Sequence, residues 1–80
     1  MITVQVKLYA TLRDQFPGLR IGEAMAVALA DGATVGQLIR QLALPDDQVK
    51  VIFVNHVVRG EEHQLGAGDV VAIFPPVGGG

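Results

Sequence analysis

The amino-acid sequence predicts an α+β domain, a mixed sheet with one main helix packed on one face. Three observations carry that prediction. Apolar and polar residues alternate strictly over Ile2–Tyr9, a single apolar stripe at helical spacing runs from Val35 to Leu42, and several short β-branched segments are cut apart by Gly, Pro, Asn and Asp.

Ile2, Val4, Val6 and Leu8 alternate with Thr3, Gln5, Lys7 and Tyr9, which gives a first strand one buried and one wetter face. Arg13–Arg20 reads as a loop around Phe16-Pro17-Gly18, because proline restricts the residue before it and glycine tolerates positive φ. Ile21–Ala30 is rich in alanine. Met25, Val27 and Leu29 nevertheless recur at every second position, so the segment is read as a strand antiparallel to the first, with Met25 in the core. Asp31-Gly32 breaks that strand. Thr34 and Gln37 then match a capping box, and Val35, Leu38, Ile39 and Leu42 form the buried stripe of a helix that Pro45 terminates.

Val49–Val54 suits an interior strand, Asn55-His56 a turn, and Val57-Val58 a short strand leading to Gly60. Leu65 is an isolated apolar residue in a polar stretch. Gly66 and Gly68 turn the chain, Asp69 closes the turn, and Val70–Phe74 forms the last strand before Pro75-Pro76 ends the ladder. Strand, strand, helix, strand, short strand, strand is the β-grasp order. Residues 1–77 form the domain, and residues 78–80 a flexible glycine tail.

Composition bounds the function. Ile, Leu, Val and Phe make up 28 of the 80 residues, enough for one core and one domain. The net charge is −2, and the six Lys and Arg are scattered singly, so no basic stripe collects phosphates. Tyr9, Phe16, Phe53 and Phe74 form no stacking platform along the sequence, and nucleic acid is excluded as a partner on both counts. The absence of cysteine removes a cysteine nucleophile, a zinc ribbon and a cysteine-ligated cluster, and fits a reducing, cytoplasmic compartment. The longest apolar run, Ala24–Ala30, is far short of the ~20 residues that span a membrane.

No catalytic constellation appears. His56 and His63 lack a third ligand at metal spacing and are expected in solvent, so no metal and no bound cofactor are predicted. Glu61-Glu62 and Asp46-Asp47 are sequence neighbours on turns, where carboxylates point apart into water. Gly66-Ala67-Gly68 is too short for a phosphate loop and precedes a strand.

The unusual feature is the ending, Phe74-Pro75-Pro76-Val77-Gly78-Gly79-Gly80. Proline stiffens the exit and glycine makes a thin thread; six residues from Pro75 reach roughly 20 Å, enough to carry a terminal carboxylate into a partner's buried site. That carboxylate is ionised at neutral pH and a poor electrophile, so another protein must activate it. If Val71 and Ile73 face the helix, then Val70, Ala72 and Phe74 face away from it on a strand expected at the sheet's centre. An exposed aromatic would then mark a partner surface beside the tail.

On these residues the sequence resembles the ubiquitin-like sulfur carriers, and within them the small subunits of molybdopterin synthase. Tyr9-Ala10-Thr11-Leu12-Arg13-Asp14, Ala33-Thr34-Val35, Val54-Asn55 and Leu65–Val71 are similar to family segments, and the ending matches the family's FPPV-x-GG. The resemblance implies a Gly80 carboxylate adenylated by a ubiquitin-activating-type enzyme at the cost of ATP, then converted to a thiocarboxylate by a sulfur donor, a persulfide protein. It implies a large subunit that receives the tail, supplies the catalytic pocket in a heterotetramer, and passes sulfur to precursor Z (cyclic pyranopterin monophosphate). Phe74 matches the interface aromatic, Val58 aligns with an interface apolar residue, and Pro75, Pro76, Val77, Gly78 and Gly79 form the inserted segment. Carriers for thiamin thiazole or tRNA thiolation and ubiquitin-like protein modifiers share the fold and the Gly-Gly end. A non-catalytic β-grasp binding module is the more distant alternative.

Overall fold

The computed structural model describes residues 1–20 and 22–76; Ile21 and the segment Val77, Gly78, Gly79, Gly80 lie outside the described residues, and the boundary expected at residue 77 lies there too. Within them the chain runs β1 (Ile2–Leu8), a 3₁₀ segment (Ala10–Gln15), β2 (Ala24–Leu29), α1 (Val35–Gln41), a second 3₁₀ segment (Asp46–Gln48), β3 (Val51–Val54), β4 (Val57–Val58) and β5 (Val70–Phe74). The strands form one sheet in the order β2-β1-β5-β3-β4. β1 pairs antiparallel with β2 and parallel with β5, while β3 pairs antiparallel with both β5 and β4. The expected β-grasp arrangement is the observed one, and β5 is central.

Alternation places Val4, Val6, Leu8, Val27, Leu29, Ile52, Val54, Val71 and Ile73 on one face, all buried against Val35, Leu38 and Ile39 of α1. Every buried side chain among the described residues is apolar, so no polar group in this core needs a partner. Two core members were not evident beforehand. Leu12 is buried on the first 3₁₀ segment, and the isolated Leu65 is buried because its N–H donates to the Ala33 carbonyl (2.8 Å) and draws its segment against the start of α1.

A seven-residue helix does not persist alone in water, so its ends and packing must hold it. The capping box forms as expected. The Thr34 hydroxyl accepts from the Gln37 N–H (3.3 Å), and the Gln37 carboxamide oxygen accepts from the Thr34 N–H (2.8 Å). At the other end the expectation that Pro45 stops the helix is corrected. Leu42 is the C-cap, and Ala43 adopts a left-handed conformation (φ 57°). The Leu44 N–H then reaches back to the Ile39 carbonyl (3.2 Å) and the Ala43 N–H to that of Arg40 (3.0 Å), the Schellman pattern with alanine in the position glycine usually takes. Leu42 consequently lies at the margin of the core, half-buried instead of buried.

Three boundaries also differ from expectation. The supposed loop at Arg13 begins as the 3₁₀ segment, with Ala10 at φ 54°, because Leu12 must turn inward to the core. β2 starts at Ala24, after a turn in which the Glu23 N–H donates to the Arg20 carbonyl (3.0 Å). β3 starts at Val51, since the second 3₁₀ segment takes up the Asp46–Gln48 stretch and the Val49 N–H donates to Asp46. The turn between β3 and β4 has positive φ at both Asn55 (51°) and His56 (72°), the backbone of a type I′ hairpin. Asn55 is tied to β5: its carboxamide donates to the Asp69 carboxylate (2.9 Å) and accepts from the Val70 N–H (2.9 Å).

Candidate functional site

The helix covers one face of the sheet and leaves the other open. Strand register puts Gln5, Lys7, Ala24, Ala26, Val51, Phe53, Val58, Val70, Ala72 and Phe74 on that open face, since each pairs directly with another of them. One cross-strand row reads Ala24, Lys7, Ala72, Phe53, Val58. The alternation expected in β5 holds, with Val71 and Ile73 inward and Phe74 outward.

Phe74 is not freely exposed, however, and here the expectation is corrected. It is half-buried because its ring stacks on Tyr9, with centroids 4.3 Å apart and planes 8° from parallel, and meets the edge of Phe53 at 5.6 Å and 79°. The reading that these aromatics form no platform held along the sequence and fails in space: Tyr9, Phe53 and Phe74 come together, while Phe16 packs against the core. Tyr9 and Phe53 carried a signal, since each alternates with buried neighbours (Leu8; Ile52 and Val54) and so must face outward.

The backbone fixes Phe74 from both sides. The Tyr9 N–H donates to the Ile73 carbonyl (3.2 Å), extending the β1–β5 ladder past Leu8, and the Lys50 N–H donates to the Phe74 carbonyl (2.8 Å). Pro75 and Pro76 follow with no amide to donate, so the chain leaves the sheet at this point. Beside the exit lies a shallow concavity of about 260 Å³ lined by Lys7, Tyr9, Phe53, His56, Val70, Ala72 and Phe74.

Of the residues expected in the site, Phe74 lines this concavity, Val58 is 62% exposed at its outer flank opposite Phe53, Pro75 is half-buried and Pro76 exposed. Val77, Gly78, Gly79 and Gly80 lie outside the described residues. His56 is exposed at the concavity, while His63 is half-buried by the start of α1, where its carbonyl accepts from the Val35 N–H (2.9 Å). Asp46, Asp47, Glu61 and Glu62 are exposed on turns, and no group of three or more metal-ligating side chains occurs among the described residues. No described helix is long and apolar enough to cross a membrane. The face can dock a partner, and Pro75 and Pro76 leave the sheet beside it.

A family model described as the ThiS family matches residues 6–80. No curated protein matches the chain significantly in sequence. Among solved structures, SAMP1 from Haloferax volcanii is 25% identical with a TM-score of 0.75, the match covering 98% of this chain and 99% of that one. A Pyrococcus furiosus protein assigned as molybdopterin converting factor subunit 1 is 26% identical with a TM-score of 0.76, covering 96% of this chain and 100% of that one. The Helicobacter pylori complex of subunits 1 and 2 of molybdopterin-converting factor gives 20% identity and a TM-score of 0.63, covering 99% and 100%; that likeness is one of fold.

Proposed function

The chain belongs to the ThiS family and has the fold of its ubiquitin-like carriers, and from that premise we propose that it is a sulfur carrier serving as the small subunit of a molybdopterin synthase. The observation that carries this reading is the Phe74-Pro75-Pro76-Val77-Gly78-Gly79-Gly80 ending, which starts from the central strand beside an aromatic face. The likeness to a molybdopterin converting factor subunit 1, and to a subunit that is in complex with a subunit 2, supports a large-subunit partner.

In this reading the Gly80 carboxylate attacks the α-phosphorus of ATP on a ubiquitin-activating-type partner, releasing pyrophosphate and forming an acyl adenylate. The outer sulfur of a persulfide donor then attacks the acyl carbon and displaces AMP, giving an acyl disulfide, and a thiol reductant cleaves its S–S bond by exchange, leaving the terminal thiocarboxylate and a new disulfide. The domain docks on the large subunit through Phe74, Val58 and the aromatic face. Pro75, Pro76, Val77, Gly78 and Gly79 carry the thiocarboxylate to the large subunit's pocket, where sulfur passes to precursor Z. The chain itself contributes docking, reach and the reacting atom; ATP binds the activating partner, and the compartment is cytoplasmic.

One added residue after Gly80 moves the carboxylate by about 3.5 Å and leaves a blocking group where the adenylate forms. With activating enzyme, ATP and sulfur donor, mass spectrometry of the native chain should show one terminal oxygen replaced by sulfur. The extended chain and a deletion of Gly79 and Gly80 should show no change, and dithiolene formation with the large subunit should follow the same pattern. Full dithiolene formation by the extended chain without trimming would overturn the carrier reading. A neighbour of the same fold is described as a small archaeal modifier protein, and a second use of the same adenylate as a protein modifier, by acylation of a lysine amine, would appear as isopeptide-bearing products in the same reaction.

A further inference from the structure

The five strands contain one charged residue, Lys7. All eight Asp and Glu of this acidic chain lie outside the strands, so none projects from the middle of the open face. Lys7 is half-buried on β1, flanked in register by Ala24 on one side and Ala72 on the other, so its long stem rises between two methyl groups at the concavity it helps to line. Its ammonium has no hydrogen-bond or ion-pair partner among the described residues, where the single ion pair joins the Met1 amine to Asp31 at 2.9 Å. A strand lysine often guards a sheet edge, but β1 lies inside the sheet between β2 and β5, which leaves that role without an object.

Docking through the aromatic face would take this ammonium out of water. An unpaired charge covered by apolar surface is strongly unfavourable, whereas a facing carboxylate offsets much of that and fixes which way round the two surfaces meet. We propose that Lys7 is a specificity residue of the docking face, pairing with one carboxylate that the large subunit presents within an otherwise apolar patch. This rests on the carrier reading above, and it adds the chemistry of the partner's surface: apolar contact for Phe74, Phe53 and Val58, and a single acid opposite Lys7.

Calorimetric titration of the intact chain into the large subunit across a series of salt concentrations tests it, with Lys7→Arg, Lys7→Met and Lys7→Glu beside Phe74→Ala. Lys7→Arg should bind within about two-fold of the native chain. Lys7→Met should weaken binding several-fold and flatten its salt dependence, and Lys7→Glu should weaken it about ten-fold or more at low salt. Replacing one large-subunit carboxylate by lysine should restore the Lys7→Glu complex, a rescue that a purely structural role for Lys7 could not give. Lys7→Met and Lys7→Arg keep the stem, so the charge is read even if Lys7→Glu folds poorly. If Lys7→Met matches the native chain in affinity and salt dependence while Phe74→Ala binds weakly, the face docks and Lys7 remains in solvent, which overturns this inference alone. If Phe74→Ala also binds normally, or the native chain forms no complex, the docking reading fails and this inference with it.

Discussion

Truncating Phe74 to alanine should separate what the residue does for the fold from what it does for assembly. In the free chain the ring makes two aromatic contacts, a stack on Tyr9 and an edge contact with Phe53. Pairs of this kind contribute about 0.5–1.5 kcal/mol each beyond area burial. A fully buried Phe→Ala change costs about 3–5 kcal/mol, and Phe74 is half-buried, so the free domain should lose about 2 kcal/mol. An 80-residue domain has roughly 4–12 kcal/mol of total stability, so the variant should still fold. The exposed part of the ring remains for the partner, and loss of an interface anchor costs a further ~2 kcal/mol, about a 30-fold rise in Kd for the large subunit. Urea unfolding of the free chain gives the first quantity, and calorimetric titration at a temperature where the variant is folded gives the second. Lowered stability with unchanged affinity would show that Phe74 serves the fold alone. Unchanged stability would show that the Tyr9 stack contributes nothing in solution.

Two further changes test the helix. Leu38 is fully buried, so Leu38→Ala should cost about 2–5 kcal/mol in chemical denaturation, and a loss below about half a kcal/mol would show that the α1 stripe does not pack as described. Ala43→Gly should stabilise: alanine costs about 1–2 kcal/mol in the left-handed conformation at φ 57°, and glycine's greater unfolded-state freedom offsets part of the gain. A net gain of about 0.5–1 kcal/mol should raise Tm by a few degrees, and a lower Tm would mean the Schellman ending is not formed.

Features with local causes were legible in the sequence. The Thr34–Gln37 box and the inward Val71 and Ile73 follow from neighbours a few positions apart, and so did the site's strongest signal, the ending after Phe74. Features that depend on packing were not. Nothing local marks Ala10 or Ala43 for positive φ; the chain adopts it there because Leu12 and Leu44, which follow them, must reach the core. Leu65 looked solitary because its companions are more than twenty residues away, around Ala33. Alternation puts Tyr9 on the wetter face, but its stack with Phe74 arises from parallel pairing of strands some sixty residues apart, which no short window contains.

That parallel pairing also bears on force. β5 is bonded along one flank to β1 and along the other to β3, and Pro75 follows directly from its end. Tension applied to Pro75 along the axis of β5 runs across the perpendicular bonds of the β3 ladder and the slanted bonds of the β1 ladder. It therefore loads both ladders together in shear and does not peel them one bond at a time. A pull on the residues that follow β5 is thus met by two ladders at once, and the domain behind it stays folded.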